Sequence, residues 1–428
     1  MFGILLGLIV LMALAYLGWS IIWVAPIAAG VVAVTGGLDL LDAYKDTYMG
    51  GFVDFAKAWF PVFMLGAIFG KLMEDTGMAR SVAVALTKLI GTKRAILGVL
   101  ASAAVLTYGG VSLFVVVFAV YPLALSLFRE ANISRKLIPA TVALGAFTFT
   151  MTAIPGTPQI QNLIPMQYFQ TDAMAAPAMG IIAAIIMAVG GYFYLRWQEK
   201  KLTNRGEVFT EPNDKNMMEV EEEDDPNFLL SVLPLLTVLI TLNVFGWDVV
   251  AALIAGILLI MVLNPGKFKR FISSMNKGAN GSVIAIINTS AAVGFGTVVR
   301  EVPGFERLTE LLMGVKGHPL ISEAIAVNIL AGATGSASGG MGIALEALGS
   351  KYYEIAQNTG ISPEAFHRIA SLSSGGLDAL PHNGAVLTLF AITGMTHKDS
   401  YKDIFVVAVL IPIISVAFVI LLASIGIL

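Results

Sequence analysis

Cysteine is absent from the 428-residue chain, which excludes disulfide bridges and thiolate metal sites. Charge is scarce as well, since Asp, Glu, Lys and Arg make up 13% of the residues against about 25% in soluble globular proteins. The net charge is −3 and no basic stripe is present, so nothing in the sequence points to nucleic-acid binding. Hydrophobic residues instead reach 57% and the mean hydropathy is +0.82. These values predict an all-α membrane protein that crosses the lipid bilayer several times.

Ten apolar segments approach the length of about 20 residues that a helix needs to cross a bilayer. They are 2–18, 20–36, 52–73, 136–170, 173–196, 228–244, 247–264, 280–299, 362–395 and 404–427. The first has no basic start and no small-residue cleavage pattern, so we expect a retained membrane helix rather than a signal peptide.

One long polar segment divides the chain. We expect residues 1–196 to form the first half, residues 197–226 a linker, and residues 227–428 the second half. The linker ends in the acidic run Glu221 to Asp225, which is typical of a solvated connection.

The two halves carry the same landmarks in the same order. The pairs are Phe69 with Phe295, Thr107 with Thr334, Ile133 with Ile361 and Ile154 with Leu380, at offsets of 226, 227, 228 and 226 residues. Each match is weak alone, but a nearly constant offset over four landmarks indicates an internal repeat. Internal repeats of membrane segments are typical of secondary transporters.

Two further segments are too long and too interrupted for one helix. Segment 95–128 is broken at "TYGGVS" and segment 320–348 at "ATGSASGGMG". We expect re-entrant hairpins whose Gly-rich tips are covered by protein or face a water-filled cavity. The alternative is a pair of spanning helices joined by a Gly-rich turn. With hairpins, each half has five crossings, so the second half must be inverted relative to the first.

Loop charges predict the orientation of the halves. Segment 267–277 carries four basic residues and no acidic one, and the linker begins with Arg196, Lys200 and Lys201. Basic loops favour the cytoplasm, whereas segment 39–46 carries three Asp and one Lys. We therefore expect a cytoplasmic linker and both termini outside.

The hairpin tips and the Pro-containing breaks in segments 136–170 and 362–395 are the expected functional site. Helix N-termini there would offer free N–H groups and a positive dipole end, which bind an anion without Arg or Lys. The candidates in the first half are Thr107, Tyr108, Gly109, Gly110, Ser112, Thr157, Gln159, Gln161 and Asn162. The candidates in the second half are Thr334, Ser336, Ser338, Gly339, Gly340, Ser373, Ser374 and Asn383. Such hydroxyls and amides suit a small carboxylate that also carries hydroxyl groups.

Ionisable side chains inside a membrane segment indicate function by default. Asp378 and His382 are four residues apart, so they would share a face of a helix, and they could load and release a proton. The alternative is a structural pair beside the break. Glu346 is a second proton-carrier candidate, with a position at the rim as its alternative. The run from Asn288 to Ser290 either lines the cavity or bonds between helices.

No catalytic constellation is present in the sequence. "GSASGG" lacks the strand–turn–helix context of a nucleophile elbow, and "TYGGVS" lacks the Gly-Lys-Ser/Thr ending of a phosphate loop. We expect neither enzymatic activity nor a cofactor or bound metal, although sodium stays open as a coupling ion.

The segment "LGAIFGKLMEDTGMARSVAVALTKLIG" from Leu65 is similar to an early signature of the gluconate permease (GntP) family of bacterial inner-membrane symporters. The order of helices, tips and breaks fits that family over nearly the whole chain. The resemblance implies a homodimer in which a transport domain slides against a scaffold. It also implies uptake of small carboxylates such as gluconate, related sugar acids, hydroxybutyrate or D-serine, usually with protons.

Two departures from the sugar-acid members concern the expected site. The first break reads "AIPGTPQIQN" without the His- and Pro-rich pattern, and the first tip has no acidic residue. A smaller hydroxy or keto acid is therefore expected as readily as gluconate. Our prediction is proton-coupled symport of a small organic monocarboxylate by an elevator mechanism, with sodium coupling or passive facilitation as alternatives.

Overall fold

The computed structural model describes residues 1–212, 226–313 and 318–426. Every regular element within these ranges is helical. The predicted acidic run Glu221 to Asp225 lies outside the described residues. The helices of the first half are α1 Phe2–Tyr16, α2 Ile21–Gly36, α3 Leu40–Asp42, α4 Met49–Asp75, α5 Met78–Ile90, α6 Ala95–Tyr108, α7 Leu113–Glu130, α8 Ile138–Ala146, α9 Phe149–Thr152, α10 Ile160–Phe169 and α11 Pro177–Asn204.

The described part of the second half is likewise helical. Its helices are α12 Phe228–Asn243, α13 Val249–Leu263, α14 Phe268–Glu301, α15 Gly304–Met313, α16 Pro319–Thr334, α17 Ala337–Thr359, α18 Pro363–Ser374, α19 Gly384–Thr393, α20 Lys402–Phe405 and α21 Ile411–Ser424. Helix α11 continues to Asn204, so the linker that we expected from residue 197 begins with two further helical turns.

Within the described ranges, five continuous helices are long and apolar enough to cross a membrane. They are Leu40–Asp75, Leu113–Glu130, Pro177–Asn204, Pro265–Glu301 and His397–Ser424. A π-helical turn joins α3 to α4, and two more connect α20 into the last helix. Shorter apolar helices, including α1, α2, α12 and α13, accompany them. An all-helical chain of this kind is a polytopic membrane protein.

The predicted spans 136–170 and 362–395 are interrupted, as the prolines within them require. The first divides into α8, α9 and α10, and the second into α18, a 3-10 turn Leu377–Ala379, and α19. Pro155 and Pro158 flank Gly156 at φ +79° in the first gap. Proline lacks the N–H that a helix needs, and glycine accepts positive φ. Each broken helix therefore exposes backbone groups within the protein interior.

The short helix α3 and the longer helices α5 and α15 were absent from the sequence-based prediction. Helix α5 and helix α15 follow the long helices α4 and α14 in their respective halves. Helix α5 buries Met78 with Val82 and Ala79 with Ala83, pairs four residues apart that share one face. Arg80, Ser81, Thr87 and Lys88 lower the average hydrophobicity of this short helix, so it gave no membrane signal.

Neighbouring helices in the first half have counterparts in the second. Helix α8 packs on α6 as α18 packs on α16. Helix α4 packs on α13 as α14 packs on α2, and α10 packs on α17 as α19 packs on α7. The order of helices and their contacts therefore both recur after the linker.

The long helices α4 and α14 form the most extensive contact among the described helices and run antiparallel. A Cβ at Gly51 would lie 1.9 Å from Thr297 Oγ1, and one at Gly278 would lie 2.7 Å from Ile68 Cα. At the far end, the Ser274 hydroxyl donates a 2.6 Å hydrogen bond to Asp75. Small residues at such crossings let backbones approach closely in a membrane.

Candidate functional site

The first hairpin tip lies directly against the first break. Gln159 Nε2 donates hydrogen bonds to the carbonyl oxygens of Thr107 at 2.7 Å and Val111 at 3.3 Å. The Tyr108 hydroxyl donates to the Pro155 carbonyl at 3.1 Å. Two predicted groups of residues, more than 40 positions apart in sequence, therefore form one unit.

The remaining residues of the first tip shape its turn. Gly110 has φ +95°, which favours glycine, and a Cβ there would lie 3.1 Å from Pro158. Gly109 packs against Leu235 of α12, where a Cβ would lie 2.7 Å from the leucine side chain. Ser112 immediately precedes α7 and is partly buried.

Asn162 fixes the backbone of the first break. Its Nδ2 donates to the carbonyl oxygens of Thr157 at 3.0 Å and Ala173 at 2.9 Å. The Thr157 hydroxyl accepts a long, 3.4 Å hydrogen bond from the Gln159 backbone N–H. Both Thr157 and Asn162 are fully buried, so this irregular backbone is satisfied inside the protein.

The second tip meets the second break in the same manner. Asn383 Nδ2 donates a 3.0 Å hydrogen bond to the Gly335 carbonyl, and the His382 ring packs against Gly335. Gly335 ends α16 at φ +60°. The Thr334 hydroxyl donates to the Leu330 carbonyl at 2.9 Å. In each half, an amide side chain at the start of the helix after the break thus hydrogen-bonds to the hairpin tip: Gln159 before α10 and Asn383 before α19.

Small residues bring the arms of the second hairpin together. A Cβ at Gly340 would lie 2.1 Å from the Ala331 backbone nitrogen, so only glycine fits there, and Gly339 packs on Ala292 of α14. Ser338 Oγ lies 3.3 Å from Thr289 Oγ1. The tip therefore contacts the run from Asn288 to Ser290 in α14.

The two broken helices also contact each other. The Ser371 hydroxyl of α18 donates a 2.8 Å hydrogen bond to the Thr152 carbonyl at the end of α9. Gly375 packs against the Thr152 side chain. Elements of the two halves thus share one buried region, with Ser373 and Ser374 fully buried beside the contact.

The four helix N-termini at the tips and breaks differ between the halves. Ser336 Oγ accepts from the Gly339 N–H, and Asn383 Oδ1 accepts from the Val386 N–H. Ser112 and Gln159 precede α7 and α10 without any such side-chain cap. In the described structure, the first turns of α7 and α10 therefore keep backbone N–H groups without a side-chain cap.

Several buried polar atoms in this region have no hydrogen-bond partner among the described residues. They are Thr107 Oγ1, Gln161 Oε1, Asn288 Oδ1, Ser290 Oγ and Ser373 Oγ. Buried polar atoms in native proteins are normally satisfied, so a group of exceptions calls for a ligand or water. These atoms combine hydroxyl donors with amide acceptors, as a polar solute requires.

Asp378 and His382 lie in non-helical backbone. Asp378 occupies the 3-10 turn Leu377–Ala379, and Leu380 is extended with φ −64° and ψ 163°. Asp378 and His382 therefore do not share a helix face, because the backbone at Leu380 between them is extended. The Leu377 N–H donates a 3.3 Å hydrogen bond to Asn328 Oδ1, which anchors the turn that carries Asp378 to α16.

Glu346 lies in an ion pair rather than beside the tips. Arg300 Nη1 approaches its carboxylate to 2.8 Å, and the Tyr168 hydroxyl donates to the other oxygen at 3.2 Å. Arg300 is 41% exposed. This placement agrees with the alternative of a rim position for Glu346.

A buried cation beside the first break was missed from the sequence. Arg368 is fully buried, donates to Asn162 Oδ1 at 2.9 Å, and donates twice to the Ala175 carbonyl at 3.0 and 2.7 Å. The neighbouring His367 Nδ1 lies 2.6 Å from Thr171 Oγ1. The adjacent His367 and Arg368, inside a predicted membrane segment that begins at Pro363, were the available signal.

Comparison with known proteins gives consistent matches. Residues 1–247 match the family described as GntP family permease. An uncharacterized transporter, YxjC, of Bacillus subtilis (strain 168) is 42% identical over 95% of each chain. An uncharacterized permease of Haemophilus influenzae is 24% identical over 69% of this chain and 66% of its own length. An uncharacterized transporter of the same organism is 28% identical over 45% of this chain and 43% of its own.

Proposed function

The chain belongs to the GntP permease family, and from that premise we propose that it is a proton-coupled symporter for a small organic monocarboxylate. It is a membrane transporter, as its family and its apolar helices indicate. The observation that carries the substrate class is the uncapped pair of helix N-termini at Ser112 and Gln159, beside the unpartnered hydroxyl of Thr107.

A carboxylate suits this arrangement better than a cation or a neutral sugar. Free N–H groups and the dipole of α7 and α10 favour negative charge. The buried Thr107 hydroxyl can donate to a second carboxylate oxygen, and Gln161 Oε1 and Ser373 Oγ can bond hydroxyl groups of the same solute. Gluconate and hydroxy acids such as 3-hydroxybutyrate carry both kinds of group.

The coupling ion in this proposal is a proton carried by Asp378 and His382. Both lie in the second break, where His382 contacts the hairpin tip at Gly335 and the Asp378 turn is anchored on α16. Proton binding there would therefore act directly on the hairpin that covers the solute.

We further propose two inverted repeats that work as an elevator. The antiparallel contact of α4 with α14, which are equivalent helices of the two halves, supports inversion. In this scheme α1, α2, α4 and α12 to α14 form the scaffold, and the hairpins with the broken helices move against it. A homodimer in a bacterial inner membrane, with a cytoplasmic linker and both termini outside, completes the proposal.

Uptake into proteoliposomes tests the coupling. An inward proton gradient without sodium should drive accumulation of gluconate, 3-hydroxybutyrate or lactate, and Asp378→Asn or His382→Gln should abolish it. Asp54→Asn, at an exposed carboxylate on α4, is the matched control and should accumulate normally. Flux without accumulation against a gradient would replace symport with passive facilitation.

Sodium coupling is the second candidate, because buried neutral oxygens could also bind a cation. Asn288 Oδ1, Ser290 Oγ and Ser373 Oγ are buried without partners, and oxygen atoms of this kind are sodium ligands. Uptake that a proton gradient fails to drive, and that sodium restores, would select this candidate over the proton.

A further inference from the structure

Glu323 is a buried carboxylate that neither the expected site nor the proposed mechanism uses. It lies on α16, the first arm of the second hairpin, and is 0% exposed. Neither of its carboxylate oxygens has a hydrogen-bond partner in the described part of the chain. A structural glutamate normally holds something in place, whereas this side chain bonds nothing.

The groups that face α16 do not offset a negative charge on Glu323. On α17, the Tyr352 hydroxyl lies 3.1 Å from Ser322 Oγ, next to Glu323 in sequence. On α18, His367 and Arg368 are engaged by Thr171, Asn162 and Ala175. Asp378 belongs to the adjacent 3-10 turn, and the charged residues Glu306, Arg307 and Glu310 of α15 are exposed. Helices α1 and α21 contribute no acidic or basic side chain.

A surface pocket lies at the start of α16. The pocket has a volume of about 470 Å³ and is lined by His318, Leu320, Met179 and Ala365 among others. Leu320 and Glu323 are three residues apart, so they share a helix face and are separated by about 4.5 Å along the axis. Glu323 therefore follows a residue that lines the pocket by about one helical turn.

Further along α16, the helix contacts the turn that carries Asp378. Asn328, which accepts the Leu377 N–H, follows Glu323 by five residues, or about 7.5 Å along the helix axis. Along α16, Glu323 is thus placed between a residue that lines the pocket and a residue that holds the second break.

From this placement we propose that Glu323 is a proton-carrying carboxyl of the transport cycle, exchanging its proton with water through the pocket. An ionised carboxylate without partners is very costly in a protein interior, so the buried form is the neutral acid. When hairpin movement opens the pocket, the acid O–H bond breaks and the proton passes to water. The carboxylate accepts a proton from hydronium before it is buried again.

The inference rests on the proposed proton symport and is tested in proteoliposomes. Glu323→Gln keeps the shape of the side chain but cannot ionise. We expect accumulation driven by a proton gradient to fall at least 10-fold, with counterflow of the same solute at equal pH within twofold of wild type. The solute is whichever of gluconate, 3-hydroxybutyrate and lactate the wild type accumulates. Glu354→Gln, at the exposed end of the other hairpin arm, should match wild type in both assays.

Several outcomes would overturn the proposal. Accumulation by E323Q at the wild-type level would do so. Equal loss of accumulation and counterflow in folded E323Q protein would also do so, because Glu323 would then be needed for translocation itself. If E323Q does not fold, wild-type protein is labelled with a lipid-soluble carbodiimide, which adds to protonated carboxyls. Labelling of Glu323 at pH 6, detected by mass spectrometry and suppressed at pH 9, is expected. Absence of label there, with other carboxyls labelled, would overturn the proposal.

The failure of the proposed function would look different. Wild-type proteoliposomes would then accumulate none of the three carboxylates under a proton gradient, whatever residue occupies position 323. Uptake by the wild type that only sodium drives would likewise reject proton coupling without reference to Glu323.

Discussion

Gln159 Nε2 donates a 2.7 Å hydrogen bond to the Thr107 carbonyl, and this bond fastens the first hairpin tip to the first broken helix. The corresponding bond in the second half runs from Asn383 to Gly335 at 3.0 Å. Each tip is therefore closed by an amide from the start of the helix that follows its break. This relationship makes the tip and the break one functional unit, and several predictions depend on it.

Replacing Gln159 with alanine should impair transport more than folding. The change leaves the Thr107 carbonyl without its amide donor, and a lost hydrogen bond of this kind costs about 1 kcal/mol. The loosened tip should raise the KM for uptake about 5- to 10-fold while the unfolding temperature changes little. Gln167→Ala, at an exposed position on the same helix, serves as the control. Unchanged uptake kinetics in Q159A would contradict a role for the tip-to-break bond.

Thr107→Val tests whether the unpartnered hydroxyl meets the solute. Valine has nearly the same shape, and the Thr107 Oγ1 makes no hydrogen bond in the described structure. Stability should therefore be equal to or above that of wild type, whereas KM should rise about 10-fold through loss of a solute contact. Thr237→Val on α12, where the hydroxyl is exposed and bonds its own helix, should change neither. Equal KM values for T107V and wild type would remove Thr107 from the site.

Gly340→Ala should destabilise the second hairpin. An added methyl would meet the Ala331 backbone, and overpacking of this kind costs about 1–3 kcal/mol. The unfolding temperature of purified protein in detergent, followed by tryptophan fluorescence, should therefore fall by several degrees. Gly66→Ala on α4 is the matched control, because no atom lies near its Cβ position, and it should be neutral or slightly stabilising. Equal melting of the two variants would contradict the close approach of the hairpin arms.

Arg368→Lys should lower both stability and transport. Lysine lacks the planar fork that reaches Asn162 Oδ1 and the Ala175 carbonyl together. Hydrogen bonds from a charged donor are worth about 1.5–3 kcal/mol each, so a large fall in unfolding temperature is expected. Arg307→Lys, at an exposed position on α15, should behave as wild type. An R368K variant with wild-type melting would show that the buried guanidinium does not hold the break.

Local chemistry explains which features the sequence could predict. Gly110, Pro155, Gly335 and Pro381 interrupt apolar runs, and interruption by glycine or proline can be read from a single chain. The sequence therefore predicts helix interruptions at these positions, and the structure has them. Contacts between the two halves, such as that of Ser371 with Thr152, could not be predicted, because no local sequence pattern indicates them.

Burial of single charges was the main feature that sequence reasoning missed. Arg368 and Glu323 lie in helices with apolar neighbours, but their complete burial results from packing of α16, α17 and α18. We expected an anion site without Arg and did not consider Arg368, because its burial depends on this packing. Likewise, the spacing of Asp378 and His382 suggested a helical face, whereas the backbone at Leu380 is extended.

Ligand-dependent unfolding of the purified protein measures most directly whether the tips and breaks bind a monocarboxylate. Gluconate, 3-hydroxybutyrate, lactate, D-serine and citrate are each added with and without sodium. At a concentration 100 times Kd, a ligand stabilises the folded protein by about 2.7 kcal/mol. We expect the unfolding temperature of wild type to rise by several degrees with at least one monocarboxylate and without sodium, and the rise to shrink in T107V. Cooperative unfolding at one unchanged temperature with every monocarboxylate would contradict a carboxylate site at these four segments.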